Sequence, residues 1–165
     1  MAQSPESGEE QVFDASPYLK LFIDKDGRWF QNGAEIIHPE IYRTFNEMLF
    51  KAADGGYQVR MGREICRVEV EDAPFVVKRV EENGEGGIFI DLNDGTREPF
   101  EPRGFWIGAA NVPYCRVKGS AFHARFSRPA YYQLARHIVT DEEGKQFFLM
   151  VNGERIAVAV GEGGE

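Results

Sequence analysis

The sequence predicts an α+β protein built as two related halves, each a helix packed on an antiparallel sheet. Three observations carry that reading. Apolar stripes at helical spacing begin after Pro39 and after Pro129, and short period-two runs surround both. A shift of ninety residues then lays the second stripe and its following runs on the first without a gap.

The elements follow in order. Leu19, Leu21 and Ile23 recur at period two, Asp26-Gly27 marks a turn, Trp29-Phe30 starts a short strand, and Asn32-Gly33 turns again. Pro39 suits the first turn of a helix, where its missing N–H is no loss, and Ile41, Phe45, Met48, Leu49 and Ala52 share one helical face. Asp54-Gly55-Gly56 ends that helix. Tyr57, Val59 and Met61, a Gly62 turn, then Cys66, Val68 and Val70 make a hairpin. A strand from Phe75 to Val80 follows Pro74, and Ile88, Ile90 and Leu92 resume alternation after a Gly-rich turn.

Arg97 to Asn111 reads as an irregular connection that still packs, because Pro99, Pro102 and Gly104 interrupt its aromatic residues. Tyr114–Lys118 and Ala121–Phe126 are expected strands. Ser127 is a good N-cap, Pro129 again sits in a first turn, and Tyr131, Leu134, Ala135 and Ile138 form the second stripe. Phe147, Leu149 and Val151, an Asn152-Gly153 turn, and Ile156, Val158 and Val160 complete a second hairpin. The expected division is a loose tail over 1–17, an N-terminal half over 18–82, a C-terminal half over 83–160 and a loose tail over 161–165.

Under the ninety-residue shift Pro39 falls on Pro129, Tyr42 on Tyr132, Glu64 on Glu154, Val68 on Val158 and Val70 on Val160. Any two helix–hairpin segments share an apolar pattern, so these identities carry little weight alone. The gapless agreement of helix start, helix end and both strands carries the reading of a pseudo-symmetric pair. A surface between such halves is a usual place for a ligand.

Composition narrows the chemistry. No apolar run approaches the roughly 18 residues of a membrane-spanning helix, and no basic start precedes an apolar segment, so a soluble cytoplasmic protein is expected. A formal charge of −8 argues against binding a nucleic-acid polymer or an acidic membrane. Cys66 and Cys115 make no disulfide or zinc framework, and His38, His123 and His137 have no metal spacing, so neither metal nor cofactor is expected. Glu69 and Glu71 alternate with valines as on a solvated strand face, and Asp72 before Ala73-Pro74 suits a turn. No catalytic group stands out. The remaining constellation is arginine near aromatics: Arg28 and Trp29, Arg60 and Arg63, then Arg116, Lys118, Arg125 and Arg128. These suit bidentate contacts to phosphate or carboxylate, with an aromatic ring for stacking.

Several strings together carry a resemblance. Asp26-Gly27-Arg28-Trp29-Phe30 with Asn32-Gly33, Val70-Glu71-Asp72-Ala73-Pro74-Phe75, and Ser127-Arg128-Pro129-Ala130-Tyr131-Tyr132-Gln133-Leu134 resemble the bacterial domain-of-unknown-function family 1285. The likeness runs from about Leu21 to about Val158 and departs most clearly between Arg97 and Asn111. It implies a duplicated core whose second half is loosely like a pleckstrin-homology fold. It also implies a pocket between the halves for a nucleotide-like ligand, a role in signalling, and no established enzyme activity. Read with the basic residues, it makes Arg28, Trp29, Arg63, Asp72, Arg116, Lys118 and Arg128 the candidate ligand contacts. The expectation is a non-catalytic module for a small anionic ligand. A protein-interaction domain using the Phe100–Trp106 aromatics is the alternative, and an enzyme ranks last.

Overall fold

The computed structural model describes residues 11–161. They divide into two compact units, residues 11–23 with 28–71, and residues 24–27 with 72–161.

The N-terminal unit is one mixed sheet with one helix. Its elements are β1 (Phe13–Asp14), β2 (Leu21–Ile23), β3 (Trp29–Gln31), β4 (Ala34–Glu35), α1 (Pro39–Met48), β5 (Leu49–Lys51), β6 (Tyr57–Met61) and β7 (Glu64–Val70). The strand order is β4-β3-β2-β7-β6-β5, with β1 also paired to β7. Both β1 and β2 run parallel to β7, and the other pairs are antiparallel. The period-two residues Leu21, Ile23, Val59, Cys66 and Val68 are buried, as alternation demands of a sheet with one apolar face.

Two expectations fail here. Residues 13–15 are not a loose tail: Phe13 and Ala15 donate backbone hydrogen bonds to Arg63 and Ile65, both at 2.8 Å, and Ala15 is buried. Composition counts side chains and is blind to a backbone ladder. Residues 1–10 and 162–165, the remaining parts expected to be loose, lie outside the described residues. The first helix also stops at Met48 rather than near Ala52, because Leu49 turns extended and pairs with Val59 in β5. Within α1 only Asn46 is buried; of the apolar stripe Ile41 is 46% exposed, while Phe45 and Met48 are half-buried.

The C-terminal unit contains β8 (Phe75–Glu82), β9 (Ile88–Leu92), β10 (Arg97–Pro99), β11 (Phe105–Ile107), β12 (Pro113–Val117), β13 (Phe122–Phe126), α2 (Arg128–Ala135), β14 (Ile138–Thr140), β15 (Phe147–Val151), β16 (Glu154–Ala157) and β17 (Ala159–Val160). One sheet has the order β10-β9-β8-β13-β12-β11-β17, and a second is β14-β15-β16. Strand β8, expected in the N-terminal half, runs parallel to β13 with Phe75 opposite Ala124, so the boundary falls after Glu71 instead of after Glu82. The stretch from Arg97 to Asn111 is more regular than expected. It supplies β10, β11 and two short 3-10 turns. Its Phe100 and Phe105 are buried and meet Phe126 edge-on at centroid distances of 6.2 and 5.5 Å. An exposed aromatic patch at Phe100–Trp106 is therefore not what this segment forms.

The turn Asp24–Gly27 packs with this unit. Asn93 Nδ2 donates to the Gly27 carbonyl at 3.1 Å, and Gly27 has φ of 81°. A Cβ there would overlap the Asn93 amide, so glycine is required by both conformation and space. Among the described residues no helix is long and apolar enough to cross a membrane.

Candidate functional site

The best-formed cationic concavity lies within the C-terminal unit, where β8, β13, the first turn of α2 and the loop before β12 converge. The cavity measures about 680 Å³ and is lined by Lys25, Lys78, Arg125, Arg128, Tyr131 and Tyr132, with Asp26 and residues 110–113 on its rim. Local rules place each group. Val77 is buried and Lys78 exposed as neighbours on β8, and Arg125 sits between the buried Ala124 and Phe126 on β13. Ser127 caps α2 by accepting a hydrogen bond from Ala130 N–H at 3.3 Å, which fixes Arg128 and Tyr131 on the first turn. Ala110 and Asn111 both adopt left-handed backbone, with φ of 56° and 60°.

The electrostatics are unusual for a chain of net charge −8. Four cationic side chains line the cavity against one carboxylate, Asp26. Arg125 is held from behind: its Nη1 donates to Asp72 Oδ2 at 2.9 Å, and Tyr114 O–H donates to the same carboxylate at 2.8 Å. Burial, reinforced by the Asp72 carboxylate, pushes the Tyr114 hydroxyl up to about 12, so it stays protonated and keeps donating. Lys78 Nζ reaches the Asp26 carbonyl at 3.5 Å. Arg128 differs from these. Its side chain makes no hydrogen bond or ion pair with any described residue, and it stands at the helix end where the backbone dipole is positive. The first turn of α1 follows the ordinary rule and carries Glu40. Pro129 lacks an N–H, and the Ala130 and Tyr131 N–H groups are taken by Ser127, so the first turn offers an anion few helix amides and leaves most of the contact to side chains.

Of the seven residues expected from the sequence, only Arg128 lines this cavity. Asp72 lies one hydrogen bond behind it through Arg125. Arg116 places its guanidinium 5.5 Å from the Trp106 ring, and Trp106 stacks on Tyr114 at 5.4 Å with His123 beside both. Lys118 is structural: its Nζ pairs with Asp94 Oδ2 and Thr96 Oγ1, each at 2.8 Å. Burial opposes ionisation of Asp94, yet the Lys118 and Thr96 hydrogen bonds outweigh it and hold the carboxyl below its usual range. Arg28, Trp29 and Arg63 belong to the N-terminal unit. Trp29 is a core residue there, 1% exposed, donating Nε1–H to Asn46 Oδ1 at 2.9 Å and stacking on Phe45. Arg28 lies over Phe30, and Arg63 is exposed in the β6–β7 turn.

Sequence reasoning missed Lys25, Lys78 and Tyr131. The last was assigned to an apolar stripe, whereas it lines the cavity and is half-buried. Cys66 and Cys115 are free and buried, and burial raises both thiols, Cys115 the more strongly, which keeps them protonated. No group of three His, Cys, Asp or Glu among the described residues is arranged to hold a metal.

These features define an α+β protein of two sheet-and-helix units with a cationic cavity in the second. No family model matches the sequence, and no curated protein matches it. Solved structures do. A DUF1285 family protein from Silicibacter pomeroyi superposes with a TM-score of 0.70 at 21% identity, over 86% of this chain and 80% of that one. Another, from Shewanella baltica, gives 0.62 at 20% identity, over 73% of this chain and 94% of that one. The chain therefore has a DUF1285-like fold, as its sequence strings suggested.

Proposed function

We propose that this protein is a non-catalytic module that takes a small anionic, nucleotide-like ligand in the cavity of its C-terminal unit and serves as a sensor of it. The observation that carries the reading is Arg128: a cation at the positive end of α2, beside Lys78 and Arg125 and without a partner among the described residues, is unfavourable until an anion joins it. Tyr131 and Tyr132 offer rings for a base or other flat group, and Tyr132 is 63% exposed. Such a ligand is expected from the sequence between the halves; the described residues that line this cavity all belong to 24–27 and 72–161.

We also propose that the two units arose by duplication. Supporting this, β13-β12-β11-β17 in the C-terminal unit follows the same path as β4-β3-β2-β7 in the N-terminal one, and each path includes one parallel pair, β11 with β17 or β2 with β7. Strand β15 also spans the residues that a ninety-residue shift of β6 requires.

Thermal-shift screening with inorganic phosphate, mononucleotides, dinucleotides and small carboxylates, followed by calorimetry, tests the ligand reading. A saturable hit that Arg128→Ala and Lys78→Ala each weaken at least tenfold supports it. If no anion binds below millimolar concentration, the reading fails.

A further inference from the structure

The two sheets differ at one matching place. In the C-terminal unit the strand entering the helix, β13, has β8 on its outer edge, running parallel, and β8 also packs against α2. The Ser127 N–H, at the helix entry, donates to Val77 O at 3.0 Å, and Gln133 of α2 accepts from Val80 N–H at 2.8 Å. In the N-terminal unit the strand entering the helix is β4, and no strand among the described residues pairs with its outer edge.

That edge is chemically open. Ile36 N–H donates to Trp29 O, so Ala34 and Ile36 face β3, while Glu35 and Ile37 aim their backbone groups outward. Ile37 is the residue that a ninety-residue shift sets on Ser127, the donor to β8. The backbone is extended again at the α1 N-cap, where His38 has φ −80° and ψ 116°. The side chains beside this edge are apolar and uncovered: Ile37 is 69% exposed and Ile41 46%. Residues 34–47 carry Glu35, Glu40 and Glu47 against a single Arg43, so the surroundings are acidic.

We propose that the β4–α1 edge of the N-terminal unit receives an extended segment of a partner polypeptide, added parallel to β4, apolar at its centre and basic at one end. Strand addition supplies affinity through the free Glu35 and Ile37 backbone groups, and the Ile37 and Ile41 side chains read the apolar positions. Charge complementarity with Glu35, Glu40 and Glu47 selects the Lys/Arg end. The chain itself contains the pattern that occupies the matching place: Phe75-Val76-Val77-Lys78-Arg79, apolar and then basic. The short β4, two residues long, and its acidic flank fit a docking edge that avoids self-pairing.

The test uses a synthetic peptide of sequence Ala-Pro-Phe-Val-Val-Lys-Arg-Val, copied from residues 73–80, titrated into the isotope-labelled full chain. Saturable binding should shift the Glu35 and Ile37 amide resonances and slow their hydrogen exchange. It should weaken at least tenfold with Ile37→Asp, a substitution at an exposed site that leaves folding intact, or when alternate peptide bonds of the probe are N-methylated. The proposal is overturned by an absence of saturable binding at millimolar peptide. It is equally overturned if the shifts fall on Ala124–Phe126, which would mean the peptide displaces β8. Retained affinity of the N-methylated probe, or a concentration-dependent dimer that protects β4 without peptide, also sinks it.

Discussion

Replacing Arg128 by alanine should invert the stability ranking of the two proteins when an anionic ligand is added. Without ligand, the wild-type guanidinium opposes the helix dipole and gains no compensating hydrogen bond or ion pair from the described residues. A charge at the wrong helix end costs about 0.3–1 kcal/mol, and exposure to solvent puts this one near the lower limit, about 0.3 kcal/mol. At about 2–4 °C per kcal/mol for a chain of this size, Arg128→Ala should melt roughly one degree higher than wild type in anion-free buffer. A ligand at a hundred times Kd adds about 2.7 kcal/mol to the wild type. A variant with tenfold weaker binding gains only about 1.4 kcal/mol at the same concentration. The wild type should then lead by about 1 kcal/mol, a reversal of sign. Paired thermal melts in a zwitterionic buffer, with and without the best anion from the screen, read both numbers. A variant that is less stable than wild type without anion would refute the reasoning, because Arg128 would then be making a structural contact.

Two further outcomes follow from buried polar groups. Asn46→Ala orphans the Trp29 indole N–H in the core, which should cost about 1–3 kcal/mol and shift the tryptophan emission; an unchanged urea midpoint would rule this bond out as a support. The Asp94–Lys118 pair makes stability depend on acid. The folded carboxyl titrates below its ordinary value of 3.8, so its contribution is complete above that pH and is lost as pH falls through the lower folded value. Asp94→Asn should therefore lower the urea midpoint at neutral pH and flatten the decline below about pH 4, and an unaltered acid limb would contradict the assignment.

Much of the fold was legible because the relevant signals are local. Pro39 and Ser127-Arg128-Pro129 mark helix starts through missing donors and capping oxygens, and Val59, Cys66, Val68 and Leu149 alternate as buried strand residues must. The helix ends were misread in both units for one reason. Leu49 and Ile138 extend the apolar helical stripes, yet each begins a three-residue strand, β5 or β14, paired across to Val59 or Leu149. Three residues are too few to display a period, so the cross-strand ladder that decides them leaves no trace in spacing. The site was only partly legible for a different reason. Arg128 sits beside its own cap, whereas Lys25, Lys78 and Arg125 converge only because β8 pairs with β13 and the Asp24–Gly27 turn packs with Asn93. No local pattern announces a parallel pairing between segments so distant in the chain. Lys118 misled because it reads as one more cation near aromatic residues, while its actual partner, Asp94, arrives from another turn.

The parallel pairs of the C-terminal unit also set an order of folding. Strand β8 meets β13 only across the intervening β9–β12, and β11 receives β17 only when Ala159 and Val160 come opposite Trp106 and Ile107. Both closures join distant segments, so their loop entropy must be lost before either ladder repays it, and such contacts form slowly. The N-terminal unit needs nothing beyond Glu71 for its own sheet. During synthesis it can be complete while β8 still waits with Phe75, Val76 and Val77 uncovered, a hydrophobic strand open to aggregation or to a chaperone until β13 emerges.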